Sequence, residues 1–268
     1  MGSGIAQVAA AAGADVILHD REEQFVQRGL DAIGRNLERG VERGRLRPEQ
    51  RAHILSRITP TAHIADWDVA IAIEAATEAL DVKLELFRRL DEATPPEAIL
   101  ASNTSSISIT VLGAATTRPE NVIGMHFMNP VPVMKLVEII RGIATTQATF
   151  DFTKNLAEKL DKTPVEVRDF PGFISNRVLM PMLNEAMYAL YEGVASAEAI
   201  DTVMKLGMNH PMGPLELADF IGLDTCLAIL NVLHDGFGDP KYRACPLLKA
   251  HVAAGWLGKK TGRGFYTY

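Results

Sequence analysis

The sequence predicts an α/β fold in which a doubly wound, largely parallel sheet is followed by a smaller, all-helical domain. Up to about Asp169, apolar strand-like runs alternate with helical patterns, as expected for a sheet that carries helices on both faces. Several runs are continuously apolar rather than alternating, which is typical of strands buried on both sides. After Phe170-Pro171-Gly172 only helical patterns follow until the last few residues. We therefore predict two domains, residues 1–169 and residues 170–268.

The individual elements follow from the same patterns. Ser196 is a typical N-cap residue, and Gly193 and Gly207 are typical helix stops. Strands are predicted over residues 14–20, 69–76, 98–106, 122–127, 135–140 and 163–169. Helices are predicted over residues 22–45, 82–93 and 146–160 in the first domain, and 173–192, 197–206 and 215–233 in the second.

Composition excludes several classes of protein. A net charge of −6 argues against general nucleic-acid binding, which depends on Lys and Arg neutralising phosphates, although it leaves room for a small anionic ligand. No apolar run approaches the roughly 18 to 20 residues of a membrane span. Two cysteines are too few for disulfide bonds to stabilise a chain of 268 residues. No cluster of residues predicts a metal site. We expect a soluble cytoplasmic protein with reduced thiols, no membrane partner and no metal.

The first twenty residues, MGSGIAQVAAAAGADVILHD, have the pattern of a small-residue helix followed by a short strand that ends in Asp20. This order is that of the second half of a dinucleotide-binding unit. An acid at the end of the second strand of such a unit accepts hydrogen bonds from the adenosine ribose hydroxyls. An ordinary strand-end aspartate or a helix N-cap explains the residue equally well.

A histidine and a glutamate are predicted to face each other across a hairpin. His126 ends one apolar strand, Glu138 lies inside the next, and Asn129-Pro130-Val131-Pro132 leaves no room for a crossover helix between them. The strands should therefore be antiparallel neighbours. A hairpin symmetric about Pro132 places the two residues opposite each other, with Cβ atoms about 5 Å apart. A carboxylate against an imidazole orients the ring and raises its basicity, as a general base requires.

Five motifs follow one another along the chain: SNTSSISI, GMHFMNPVPVMKLVEII, PGFISNR, NHPMGPLELADFIGLD and GKKTGRGFYTY. In this order they resemble the signatures of the (S)-3-hydroxyacyl-CoA dehydrogenase family, especially its short bacterial 3-hydroxybutyryl-CoA dehydrogenases, and the resemblance runs from Gly2 to Tyr268. It implies a Rossmann-like first domain and an NAD-dependent oxidoreductase of fatty-acid or butanoate metabolism. NAD would take a hydride from C3 of the 3-hydroxyacyl thioester. The resemblance gives catalytic roles to four residues: His126 as the base, Glu138 as its orienter, Ser105 on the substrate oxygen and Asn176 on the thioester.

The resemblance also implies the residues that hold the cofactor. Gly2 matches the last glycine of the G-x-G-x-x-G turn, and Asp20 would contact the adenosine ribose. Contacts to the rest of NAD would come from Glu78, Lys83, Asn103, Ser105, Asn129 and Lys260. Glu78 and Lys83 could equally be ordinary charges at a helix start, and Lys260 a free surface lysine. The first strand and the two earlier glycines of the turn are expected to be missing, so we expect this chain to bind NAD weakly.

Eight arginines lie between residues 21 and 51, with glutamates among them. From the residues alone, a solvated helical face is the simpler interpretation. The resemblance implies instead that this helix binds the phosphates of coenzyme A, which guanidinium groups suit through bidentate hydrogen bonds. The residues proposed for that contact are Arg28, Arg35 and Arg39. The helical domain is expected to be core and subunit interface, since the family counterpart is a homodimer.

Three functions remain open at this stage. The first is a dehydrogenase for a short-chain substrate such as (S)-3-hydroxybutyryl-CoA. The second is a dehydrogenase for another acyl-CoA, such as 3-hydroxyadipyl-CoA. This function stays open because the preference for acyl chain length depends on the shape of the substrate pocket, which the sequence does not fix. The third is a non-catalytic, crystallin-like or fragmentary member of the family. Activity with acetoacetyl-CoA distinguishes the third from the first two.

Overall fold

A computed structural model describes residues 1–268 of the chain, which divide into two compact units, Met1–Asp169 and Phe170–Tyr268. The first unit alternates strands and helices. Its elements are α1 (Gly2–Ala11), β1 (Val16–His19), α2 (Glu23–Glu42), α3 (Pro48–Ser56), β2 (Ile58–Thr61), β3 (Ile71–Glu74), α4 (Leu80–Ala93), β4 (Ile99–Ser102), α5 (Ile109–Gly113), β5 (Val122–Phe127), β6 (Leu136–Arg141), α6 (Gln147–Lys159) and β7 (Thr163–Arg168).

The strands of the first unit form two sheets. β1 pairs with β2 in parallel, and a five-stranded sheet has the order β3-β4-β5-β6-β7. All neighbours in the larger sheet are parallel except β5 and β6, which are antiparallel. Every predicted strand is present, and the mixed α/β fold with a parallel sheet is confirmed. The division into two sheets was not predicted, because β1 takes its hydrogen-bonding partner from the unpredicted strand β2.

Helices cover the larger sheet on both faces. Alternate residues of β5 and β6 point to opposite sides. Ile123, Met125 and Ile139 face a core shared with α1 and α6. Gly124 faces the other side, where a Cβ atom would lie 2.8 Å from Cβ of Ile140 and 3.0 Å from the side chain of Ile109 on α5. Ile140 is paired with Gly124 across the two strands. His126 lies two residues after Gly124 and Glu138 two residues before Ile140, so both side chains point to the Gly124 side.

The second unit contains only helices around its own apolar core. They are α7 (Ser175–Tyr191), α8 (Ala197–Gly207), α9 (Pro214–Ile221), α10 (Leu223–Phe237) and α11 (Pro246–Ala253). The prediction of a single helix over residues 215–233 was wrong. The helix is interrupted at Gly222, whose φ of 104° only glycine adopts readily. No single helix is long and apolar enough to cross a membrane, and α9 and α10 reach that length only as a pair bent by 97°.

Candidate active site

Polar side chains gather at one edge of the five-stranded sheet. The carboxyl ends of β3, β4 and β5 meet there, and the amino ends of β6 and β7 lie at the same edge because β6 runs against β5. Glu74 ends β3, Asn103 follows β4, and His126 is the last but one residue of β5. In open α/β sheets ligands bind at this edge.

The predicted pairing of His126 with Glu138 is confirmed. The antiparallel register sets the two residues opposite each other, and Nδ1 of His126 lies 2.8 Å from Oε2 of Glu138. Both residues are buried, with 7% and 2% of their surface exposed. A short contact in so dry a position is a strong hydrogen bond, because little water competes for either group.

The second nitrogen of the same ring meets a serine. Nε2 of His126 lies 3.0 Å from Oγ of Ser105, so the imidazole bridges a hydroxyl and a carboxylate. A carboxylate accepts hydrogen bonds only, so Nδ1 carries a proton in the pair with Glu138. Nε2 of the neutral ring is then the basic atom. The arrangement can take a proton at Nε2 and hold the resulting imidazolium against Glu138.

Glu78 fixes the loop that carries Ser105. Its Oε1 accepts hydrogen bonds from the hydroxyl of Thr104 and the amide of Ser105, both at 2.6 Å, and from the amide of Ser106 at 3.1 Å. Burial raises the pKa of Glu78, but the Thr104 hydrogen bond and the charge of Lys83 outweigh it, and the net pKa lies below the ordinary value. Glu78 is therefore an ionised acceptor that orients the serine loop.

A buried ion pair between Lys83 and Glu74 lies next to Glu78. The ammonium of Lys83, with 1% of the residue exposed, lies 2.7 and 2.8 Å from the two oxygens of Glu74 and 3.4 Å from Glu78. Glu74 also accepts from the hydroxyl of Ser102 at 2.6 Å. Sequence reasoning missed Glu74, although it carries the signal that identified Glu138, an acid inside an apolar strand. Lys83, predicted to contact the cofactor, has its ammonium surrounded by carboxylates.

Four more residues predicted to bind the cofactor belong to the first unit: Asn103, Asn129, Asp20 and Gly2. Oδ1 of Asn103 accepts the amide of Phe127, which ties the end of β4 to the end of β5. Asn129 is exposed in the turn after β5, and Asp20 is exposed after β1, where it accepts the amide of Arg21 at 2.8 Å. Gly2 begins α1 beside the end of β3, since a Cβ on Gly2 would lie 3.7 Å from Cβ of Ala75.

The three arginines predicted to bind coenzyme A share one exposed face of α2. Each follows a buried apolar residue by two positions, which is about 200° around an α-helix. The guanidinium of Arg28 also stacks on the ring of Phe25 at 5.3 Å. We call this surface the arginine face; it consists of Arg28, Arg35 and Arg39, opposite the buried Val26, Ile33 and Leu37.

Two predicted site residues belong to the second compact unit. Asn176 lies in the first turn of α7, and its amide donates to the carbonyl of Gly172 at 3.2 Å. Nζ of Lys260 lies 2.5 Å from Oδ1 of Asp224, so this lysine has an acidic partner rather than being free. Their roles in substrate and cofactor binding stay predictions.

Both units match families of known sequence. Residues 1–170 match the family described as 3-hydroxyacyl-CoA dehydrogenase, NAD binding domain, and residues 172–268 match its C-terminal domain. The two matches cover nearly the whole chain.

Individual relatives are similar over the full length of the chain. A probable 3-hydroxybutyryl-CoA dehydrogenase of Bacillus subtilis is 58% identical, covering 100% of this chain and 94% of the relative. A 3-hydroxybutyryl-CoA dehydrogenase of Bradyrhizobium diazoefficiens is 56% identical, covering 100% and 92%. The crystal structure of (S)-3-hydroxybutyryl-CoA dehydrogenase from Ralstonia eutropha superposes with a TM-score of 0.98 at 49% identity, covering 100% and 95%.

Proposed function

Because the chain belongs to the 3-hydroxyacyl-CoA dehydrogenase family, we propose that it is an NAD-dependent oxidoreductase of short-chain (S)-3-hydroxyacyl-CoA thioesters. The substrate is 3-hydroxybutyryl-CoA, the compound in the names of the relatives from Bradyrhizobium diazoefficiens and Ralstonia eutropha. Its oxidation at C3 gives acetoacetyl-CoA. The observation that carries the proposal is the series of contacts Ser105–His126–Glu138 at the ligand-binding edge of the sheet, in which His126 and Glu138 are buried.

The proton chemistry follows from that series of contacts. Nε2 of His126 takes the proton of the substrate hydroxyl as C3 is oxidised and returns it in the reverse direction. Glu138 holds the proton on Nδ1 and stabilises the imidazolium, and the hydroxyl of Ser105 donates to the substrate oxygen while negative charge develops on it. Glu78 keeps the Ser105 loop in place through four hydrogen bonds from residues 104 to 106.

The polar edge of the first unit fits a dinucleotide. Asp20 directly follows β1 with an exposed carboxylate suited to ribose hydroxyls, and α1 begins at Gly2 beside the end of β3, with backbone N–H groups suited to phosphate. Asn103, Asn129 and Ser105 supply polar groups near His126. NAD, when bound, supplies the hydride acceptor and donor for C3.

Binding of the rest of the substrate is assigned to separate surfaces. The three arginines of the arginine face are exposed, and Arg39 donates to the side-chain oxygen of Asn36, which is neutral. Their guanidinium groups are therefore accessible to the phosphates of coenzyme A. In the second unit, Asn176 would position the thioester and Lys260 would add a cofactor contact. These assignments rest on the family resemblance.

We also infer a homodimer acting in the cytoplasm. Large apolar side chains stay exposed on the second unit, among them Val203, Leu206 and Met208 with 59%, 83% and 61% of their surface exposed, and such groups favour a subunit interface. Cys226 and Cys245 are both free and buried, in keeping with a reducing compartment.

The proposal is tested by following NADH oxidation at 340 nm with acetoacetyl-CoA and with a panel of longer and dicarboxylic acyl-CoA substrates. We expect activity that is highest on the C4 thioester and falls by about 10²- to 10⁴-fold in His126→Ala, the usual contribution of a general base. His234→Ala, at an exposed histidine of α10, is the matched control. No activity in the parent, or an unaffected His126→Ala variant, contradicts the proposal; comparable efficiency on longer chains contradicts the short-chain assignment.

A further inference from the structure

A buried lysine holds the turn that joins the strands of His126 and Glu138. Lys162 lies directly before β7 with 7% of its surface exposed. Its Nζ donates to the carbonyl of Val131 at 2.5 Å and to the carbonyl of Met134 at 2.9 Å. Both carbonyls belong to the turn between β5 and β6, which we call the 128–135 turn.

The partners of Lys162 are unusual for a buried lysine. Lysine is almost never fully buried unless it is paired, and here the partners are backbone carbonyls rather than a carboxylate. The neighbouring Asp161 carboxylate forms its ion pair with the exposed Lys135 instead. Pro130 and Pro132 within the turn have no N–H group, and the amides of Val133 and Met134 both donate to the carbonyl of Pro130. These four residues therefore give no backbone donor to the carbonyls of Val131 and Met134. The Lys162 amine supplies the missing donors.

The turn touches three parts of the proposed active site. It connects His126 on β5 to Glu138 on β6, and it contains Asn129. Val131, with 2% of its surface exposed, packs against the first turn of α1, because a Cβ on Gly4 would lie 3.0 Å from Cβ of Val131. β7 pairs with β6 from Leu136 and Thr163 onward, which places Lys162 at the same sheet edge.

We propose that Lys162 is a positioning residue for cofactor binding: by holding the 128–135 turn through two carbonyls, it sets Asn129 and the start of α1 for the dinucleotide. The inference rests on the proposed function. The β5–β6 ladder holds the pairing of His126 and Glu138 through its own backbone hydrogen bonds. Lys162 therefore acts on the affinity for the cofactor more than on the proton transfer step.

The test compares Lys162→Met with Lys135→Met. Both changes remove one lysine from the same end of the sheet, but the Lys135 side chain is 63% exposed and its Nζ bonds only to Asp161. We expect Lys162→Met to raise the KM for NADH about tenfold, the value of one to two lost hydrogen bonds, with kcat within about threefold. Lys135→Met is expected to leave both constants within twofold, a bound of about 0.4 kcal/mol.

A second readout separates positioning from general destabilisation. The amides of Val133 and Met134 donate to the carbonyl of Pro130, and their hydrogen exchange reports on the turn. Exchange should accelerate in Lys162→Met and stay unchanged in Lys135→Met. If Lys162→Met does not fold, Lys162→Gln takes its place. Its side chain is shorter and offers one neutral NH₂ group instead of an ammonium, so changes in the same direction with a smaller rise in the KM for NADH are expected.

Three outcomes decide the matter. A KM for NADH within twofold of the parent, together with unchanged exchange at Val133 and Met134, overturns the proposal. A lower melting temperature with an unchanged KM for NADH also overturns it, because that result describes a structural role alone. A parent protein without dehydrogenase activity contradicts the proposed function. In that case the affinity for NADH, measured by fluorescence titration, and the hydrogen exchange of Val133 and Met134 still decide the role of Lys162.

Discussion

Replacing Glu138 by Gln tests how the carboxylate supports the histidine. Gln keeps the size of the side chain and one oxygen that can accept the Nδ1 proton at the observed 2.8 Å, but it removes the negative charge. With both residues buried, water does not replace the lost charge. The variant therefore changes the electrostatics of the pair with little change of shape.

The magnitude follows from the two kinds of hydrogen bond. A bond to a charged partner contributes roughly 1.5–3 kcal/mol and a neutral one roughly 0.5–1.5 kcal/mol, a difference of about 1–1.5 kcal/mol. Since about 1.4 kcal/mol is a factor of ten in rate, the lost charge lowers kcat about tenfold. If the amide NH₂ turns toward Nδ1, the ring adopts the other tautomer, the proton moves to Nε2, and the loss approaches about 10⁴.

The assay is NADH oxidation with acetoacetyl-CoA at saturating concentrations of both. Glu166→Gln is the matched control, since Glu166 lies on the neighbouring strand β7 in an exposed ion pair with Arg141 at 3.1 Å. We expect this control to stay within twofold of the parent, as exposed pairs contribute little, about 0–1 kcal/mol. A Glu138→Gln variant with the kcat of the parent would refute the assignment of Glu138 as the group that supports the base.

Three further predictions concern the rest of the chain. Single Arg→Ala changes on the arginine face should raise the KM for acetoacetyl-CoA about three- to tenfold, as expected for a lost contact to phosphate, and no change in any of them restores the solvated-face interpretation. Gly124→Ala should cost about 1–3 kcal/mol of unfolding free energy in urea, because its Cβ would lie 2.8 Å from Cβ of Ile140. Gly34 of α2 is the control, because a Cβ atom added there would have no neighbouring atom within 4 Å. Gly34→Ala should stabilise the protein by about 0.5–1 kcal/mol, and equal effects of the two substitutions would contradict the packing described for β5. Burial lowers the pKa of His251 below 6.5, against the opposing charge of Asp219, so its neutral form is favoured in the folded state. The stability that this contributes is present above pH 6.5 and is lost as the pH falls below it. His251→Gln should therefore flatten the decline of the urea midpoint between pH 7 and pH 5. An unchanged dependence of the midpoint on pH would refute the role of His251 in this decline.

Elements missed in the sequence show where local patterns fail. β2 is only four residues long and contains Pro60, and a proline within a run argues against a strand. α3 begins with Pro48 at its first turn, and the side-chain oxygen of Gln50 accepts the backbone amide of Arg47 at 2.9 Å, but the surrounding arginines hide its weak apolar pattern. The break at Gly222 lies between two apolar helices that share one continuous pattern. In each case the competing signal within the segment was as strong as the correct one.

Local patterns in the sequence predicted six of the seven strands, the helical character of the chain after Asp169 and the pairing of His126 with Glu138. These features depend on apolar periodicity and on a turn too short for a crossover, which act over a dozen residues or fewer. How Ser105 is held depends on contacts between residues far apart in the sequence. Glu78 accepts from an amide 27 residues away, and Glu74 accepts from Ser102 across 28 residues. Such contacts form where parallel strands meet at a common edge, and no local pattern encodes which acid will face which donor across that distance.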